Sequence, residues 1–132
     1  MLSKIKSFGL SGLNGYVVDV EVDVSAGLPG IEMVGLPDTA IKESKERVRS
    51  AIKNSAFKFS PNKITINLAP ADTKKEGPLY DLPIAMGVLA ATQQLDVRLL
   101  ENTVIVGELS LDGSIRRVRG ILPILMAAKR AG

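Results

Sequence analysis

Between Ile64 and Ala91 the chain reads ITINLAPADTKKEGPLYDLPIAMGVLAA, and its reactive groups crowd into one short stretch of it. Lys74, Lys75 and Glu76 precede a Gly77-Pro78 turn, and Thr73 and Tyr80 are the nearest hydroxyls. A loop that joins a strand to a helix often holds an active site, because the helix start gathers backbone N–H groups that have no intrahelical partner. Here no Ser, Cys or His lies close to the turn. The whole chain lacks Cys and His, so thiol and imidazole catalysis, disulfides and zinc sites built from those ligands are excluded by inventory.

Two further groupings could bind something. Tyr16 to Val24, YVVDVEVDV, sets Val18, Val20, Val22 and Val24 on one face of a strand and Asp19, Glu21 and Asp23 on the other. Three carboxylates in a row invite a divalent-metal reading. Residues two apart on a flat strand diverge rather than converge on one ion, so the expectation is the solvated face of an antiparallel sheet and no metal site. The second grouping is cationic. From Lys42 to Lys75, nine basic residues stand against three acidic ones, although the net charge of the chain is only +3. Lys42, Lys45, Arg49 and Lys53 recur at helical spacing, Lys74 and Lys75 follow, and Arg116, Arg117 and Arg119 form a second cluster. These are the candidates for contact with nucleic acid or a partner, the alternative being an ordinary solvated helix face eased by Glu43 and Glu46.

The elements that must position these groups are legible from periodicity. Lys4 to Leu10 is a short strand, Leu13-Asn14-Gly15 offers a turn, and the valine strand follows. After the Gly27-Leu28-Pro29-Gly30 turn comes a third strand, GIEMVGL, whose Gly35 hints at a bulge or a close backbone approach. Pro37-Asp38 opens a helix to about Asn54, capped by Asp38 or Thr39, with Ile41, Ser44, Val48 and Ile52 on its inner stripe. Phe57 to Asn62, ending Ser60-Pro61-Asn62, leads into the strand Ile64–Ala69, which Pro70 ends. Asp81 is expected to cap the next helix, whose Leu82, Ile84, Met86, Val88 and Leu89 leave no polar face, as a core helix requires. Gln93 to Asn102 is a loop or frayed turn, Thr103 to Leu111 a strand, Asp112-Gly113 a hairpin turn and Ser114 to Val118 its partner strand. Gly120 ends that strand, and Ile121 to Ala131 is a helix with Pro123 near its start and Gly132 at its end.

A chain of 132 residues suits one domain able to bury roughly two-thirds of its unfolded surface. The start, MLSKIKSFGL, lacks the apolar run of a signal peptide, and no segment approaches the roughly 18 apolar residues of a membrane span. A cytoplasmic protein with no membrane partner is expected. A glycine at a helix end is also where a connection to a further domain would begin.

Taken together, KEGPLYDLPIAMGVLAA and GELSLDGSIRRVRGILPILMAAKRAG resemble the proteolytic domain of Lon proteases, whose segments read KDGPSAG, GEITLRGRV and GGLKEKLLAA. The run SFGLSGLNGYVVDVEVDVSAGLPGIEMVGLPDTAIKESKERVRSAI resembles more closely the N-terminal domain of the YifB/ComM family of Mg-chelatase-like AAA+ ATPases, and this resemblance extends from Ser7 to Gly132. It implies an α/β (α+β) fold of the Lon-protease-like type shared with a ribosomal protein domain 2 and GHMP kinases, a mixed β-sheet with helices packed on one side. It also implies that residues 1–132 are one such domain with an AAA+ module following. Lon enzymes use a Ser nucleophile and a Lys base. Carried over, the Ser position falls on Leu79 and the Lys position on Leu122, and an isobutyl group has neither a lone pair nor a removable proton. No GxxxxGK[ST] run occurs, so ATP and Mg2+ are expected only for the full-length protein and no cofactor for this chain.

The function implied by the resemblance is a catalytically inactive accessory domain of an ATP-dependent hexameric DNA helicase, acting in branch migration during recombination and natural transformation. Its partners would be its own copies in the ring, and DNA. Two other readings are a magnesium-chelatase subunit and a Lon-like serine peptidase with a displaced nucleophile. RNA binding fits poorly: only five aromatic residues are available for stacking, with Phe57 and Phe59 the one close pair.

Overall fold

A computed structural model of the chain describes residues 1–11, 14–59, 62–117, 124–126 and 128–129. Strands β1 (Leu2–Ser11), β2 (Asn14–Ser25), β3 (Gly30–Val34) and β4 (Lys63–Ala69) form one sheet in the order β1-β2-β4-β3. The β1/β2 and β2/β4 pairs are antiparallel and β3/β4 is parallel, so the sheet is mixed as expected. Period-2 alternation sets its two faces: Val20, Val22 and Val24 are buried, as are Leu68, Ile66 and Ile64 opposite them, while the residues between face outward.

Helices α1 (Thr39–Lys42), α2 (Ser44–Asn54) and α3 (Asp81–Ala91) follow, the last preceded by a 3₁₀ turn, Pro78–Tyr80. α3 lies across β1 and β2, and α2 packs against α3. Nearly every residue of α3 is buried, which explains a helix without a polar stripe. Gly87 lets it approach the sheet: a Cβ there would sit 2.5 Å from the Val22 side chain, while the Gly87 carbonyl accepts a bond of 2.7 Å from the buried Ser3 hydroxyl. A small hairpin, β5 (Glu108–Leu109) and β6 (Ile115–Arg116), is braced at its turn by Asp112, which accepts from the Ser114 amide at 2.9 Å. Residues 124–126 and 128–129 are helical, within the span expected for the last helix.

Several expectations are corrected. Asn14 and Gly15 are not the turn but are already paired with Ser11 and Leu10, and Leu13 lies outside the described residues. The helix from Pro37 to Asn54 is two helices, broken at Glu43. Arg47 donates to the Ala40 carbonyl at 2.7 Å, the acceptor a continuous helix would offer the Ser44 amide. Gln93 to Asn102, expected as a loop or frayed turn, does hold a turn, the 3₁₀ segment Val97–Leu100. The long strand Thr103 to Leu111 shrinks to Glu108–Leu109 plus a single bridge from Val104 to Lys6, because Gly107 turns its amide and carbonyl toward Leu79 and Leu82 instead. Ser60, Pro61, Val118, Gly120, Ile121, Pro123 and Gly132 lie outside the described residues.

Candidate functional site

The loop between β4 and α3 is fixed from both sides. It runs beside residues 36–38, where the Lys75 amide donates to the Leu36 carbonyl at 3.0 Å and the Asp38 amide to the Lys75 carbonyl at 3.2 Å. Asp38 uses one oxygen to cap α1 through the Ile41 amide and the other to accept from the Gly77 amide, both at 2.9 Å. On the far side the Gly107 amide donates to the Leu79 carbonyl at 2.8 Å. Leu79 therefore stands on a rigid turn, half-buried, with its side chain packed against the core. Leu122 and Arg119 lie outside the described residues.

Lys75 departs from its expected role. As a member of a contact surface it should be exposed, but it is wholly buried, and its ammonium donates to the carbonyls of Gly35, at 2.8 Å, and Pro70. Burial lowers its pKa, an effect that Asp72 partly offsets. The cover is thin, since Lys74 and Glu76 on either side are exposed. Gly35 makes the arrangement possible, with φ at +98° and the Leu68 carbonyl oxygen 2.2 Å from where a Cβ would be. The suspected close backbone approach at this glycine is thus real.

Beside the turn, the Tyr80 hydroxyl is buried without a hydrogen-bond partner of good geometry among the described residues. The neighbouring Tyr16 hydroxyl turns to the Lys74 carbonyl at 3.2 Å. Burial first, then the adjacent Tyr16, push the Tyr80 hydroxyl far above the ordinary phenol range.

Asp81 is not a cap either. It is the first residue of α3 and wholly buried, and its carboxylate accepts from the Ser44 hydroxyl at 2.5 Å, from Arg47 at 2.6 and 3.1 Å, and from the Leu109 amide at 3.1 Å. The hydrogen bond to Asp81 leads the causes that raise the Arg47 pKa. Sequence reasoning missed this cluster. The available signal was Ser44, a polar residue on an apolar stripe, which when buried demands a partner.

The remaining candidates are at the surface. Lys42 on α1 and Lys53 on α2 are exposed, and Lys45 and Arg49 are half-buried. Arg49 lies 5.9 Å from the Phe59 ring centroid and 3.5 Å from Glu46. Arg116 and Arg117 are exposed, with Arg116 donating to the Ser110 hydroxyl of its own hairpin at 2.7 Å. The carboxylate row lies on the outer sheet face, with Asp19 opposite Lys6 and Glu21 opposite Lys4. Glu21 accepts from Asn67 at 2.7 Å and lies 3.9 Å from Lys4, as a solvated antiparallel face would have it. Among the described residues no group of three acidic side chains is placed to hold a metal ion, and no helix is long and apolar enough to cross a membrane.

With this geometry in view, residues 20–132 match the family described as subunit ChlI of Mg-chelatase, and the chain belongs to that family. Among its relatives, the YifB protein of Escherichia coli is 49% identical over 99% of this chain, and the competence protein ComM of Haemophilus influenzae is 45% identical over 98%. The chain spans 26% of the length of each. A Lon protease of Chlamydia trachomatis is 26% identical over 92% of the chain and 16% of its own length.

Proposed function

We propose that this chain is a catalytically inactive Lon-like accessory domain of a cytoplasmic ComM/YifB-type AAA+ ATPase. The full-length protein is, on this reading, an ATP- and Mg2+-dependent hexameric DNA helicase acting in branch migration, with its ATPase module beyond residue 132. The domain contributes ring assembly, DNA contact or both. The observation that carries the loss of peptidase chemistry is the side chain at the turn. Leu79 has no nucleophilic atom, and the nearby Lys75 amine donates to two carbonyls rather than to a hydroxyl. The similarity to YifB and ComM over nearly the whole chain supports the assignment of the longer protein.

Incubation of the chain with a fluorescently labelled unfolded protein tests the first half, and no cleavage is expected. Cleavage abolished by replacing Thr73 or Ser44 would overturn it. For the second half, the full-length protein should unwind a branched DNA substrate in an ATP-dependent manner. ATP hydrolysis that is indifferent to DNA would remove the helicase assignment.

A further inference from the structure

Beyond the turn, cations from α2 and β4 gather around the open end of β3. Arg49 and Lys53 from α2, with Phe59 and Asn62, line a groove of about 340 Å3 against Pro29–Ile31. A second groove, of about 420 Å3, adjoins it across Pro29 and Gly30 and is lined by Lys63 and Glu32. The ridge between them is Pro29–Gly30 of the turn from β2 to β3, and the adjoining Leu28, which lines the second groove, is 89% exposed.

Three features of this path ask for an explanation. Arg49 and Lys53 are like charges at i and i+4, an arrangement that destabilises a helix. Neither Lys53 nor Lys63 has an ion-pair partner among the described residues. The Arg49 guanidinium, in contrast, is held near the Phe59 ring, which reduces the freedom it would lose on binding an anion. An exposed leucine on a turn, with Arg49 and Lys53 in the groove to one side and Lys63 beside it, is the composition of an apolar group that meets bases while the cations meet phosphates.

We infer that a single strand of DNA runs along this path, its phosphates on Arg49 and Lys53 and then on Lys63, with a base against Leu28. The inference rests on the reading that this domain contacts DNA and names where and in which form. A concave path broken by a ridge suits a flexible single strand, whereas a rigid duplex would be better served by the convex stripe of Lys42 and Lys45. With three phosphates neutralised, single-strand affinity falls about 20-fold between 50 and 200 mM salt, and with one it falls only about threefold.

The test is an NMR titration of the isotope-labelled chain with short oligothymidylate, and with a duplex of the same length, at low salt. Shifts centred on Gly30, Lys53 and Phe59 are expected with the single strand. R49E/K53E should weaken binding at least tenfold and flatten its salt dependence, and L28S should weaken it less. R49Q/K53Q, a milder change, should weaken binding in the same direction with the spectrum otherwise intact. Shifts confined to Lys42 and Lys45 or to Arg116 and Arg117 would overturn the path but leave DNA contact standing. An equal or stronger response to the duplex would overturn the choice of strand. No shifts with either ligand would overturn both the path and the DNA contact it rests on. Self-association lost in L28S without any nucleic-acid response would give the ridge to a neighbouring copy instead.

Discussion

Charged side chains at the turn before α3 and along the open end of β3 are of the same types, yet they live differently. At the turn, Asp38, Lys75 and Asp81 are each bound to backbone or side-chain partners, and the last two are wholly buried. Along β3, Lys53 and Lys63 are exposed, and among the described residues the one acidic partner of Arg49 is Glu46, whose side chain is 73% exposed. Burial without water makes a charge structural, because every unmet donor or acceptor there costs free energy. Exposure leaves it available. The buried charges beside the turn are therefore architectural, whereas those along β3 remain free to meet a ligand.

The largest expected effect breaks the architectural side. Asp81→Ala removes the acceptor shared by Ser44, Arg47 and Leu109 and leaves a guanidinium, only 20% exposed, without its buried partner. A loss of about 3–5 kcal/mol is expected from urea unfolding. A loss below about 1 kcal/mol would show that this cluster does not tie α2, α3 and β5 together.

Lys75→Met comes next. It orphans the Gly35 and Pro70 carbonyls, at an expected cost of about 2–4 kcal/mol. It also carries a pH signature. The folded Lys75 releases its proton below the usual lysine value of 10.5, so between its lowered pKa and 10.5 the unfolded state binds more protons. Stability contributed by this group rises with pH through that window, and Lys75→Met should abolish the rise.

Tyr80 acts with the opposite sign. The folded phenol keeps its proton above the ordinary value of 10.0 while the unfolded one releases it, so stability falls as pH climbs past 10. Tyr80→Phe should soften that alkaline loss. Near neutrality it should change stability by less than about 1 kcal/mol, since the hydroxyl it deletes has no hydrogen-bond partner of good geometry among the described residues. Unfolding curves from neutral pH to above pH 10 for the two variants separate the lysine and tyrosine contributions. An alkaline loss unchanged in Tyr80→Phe would place its source elsewhere.

The parts of this fold written in short-range periodicity were legible. The alternation of Val18, Val20 and Val22 announced both a strand and its buried face, and the apolar run after Asp81 announced a helix buried on all sides. What escaped depends on groups far apart in sequence. Asp81 reads locally as a cap, and only the arrival of Ser44, from 37 residues earlier, reveals why it is buried. Lys75 reads as one more cation in a basic run, because nothing nearby in sequence announces the Gly35 carbonyl that lies 40 residues away. The groove beside β3 escaped for the same reason: Pro29–Ile31 and Arg49 share no local pattern, although each had been placed on the right element.

The smallest effect sharpens the available side. Lys53→Gln removes a repulsion from Arg49 worth about 0.2–0.5 kcal/mol, a gain in stability. It also removes a cation from the last turn of α2, where the helix dipole favours positive charge by about 0.3–1 kcal/mol, a loss. Both terms act at an exposed site and shrink with salt, so their sum should stay within about 0.5 kcal/mol of zero and approach it as ionic strength rises. A larger loss, persistent in high salt, would mean that Lys53 is held as Lys75 is. The distinction between committed and available charge would then fail at the position where the groove needs it most.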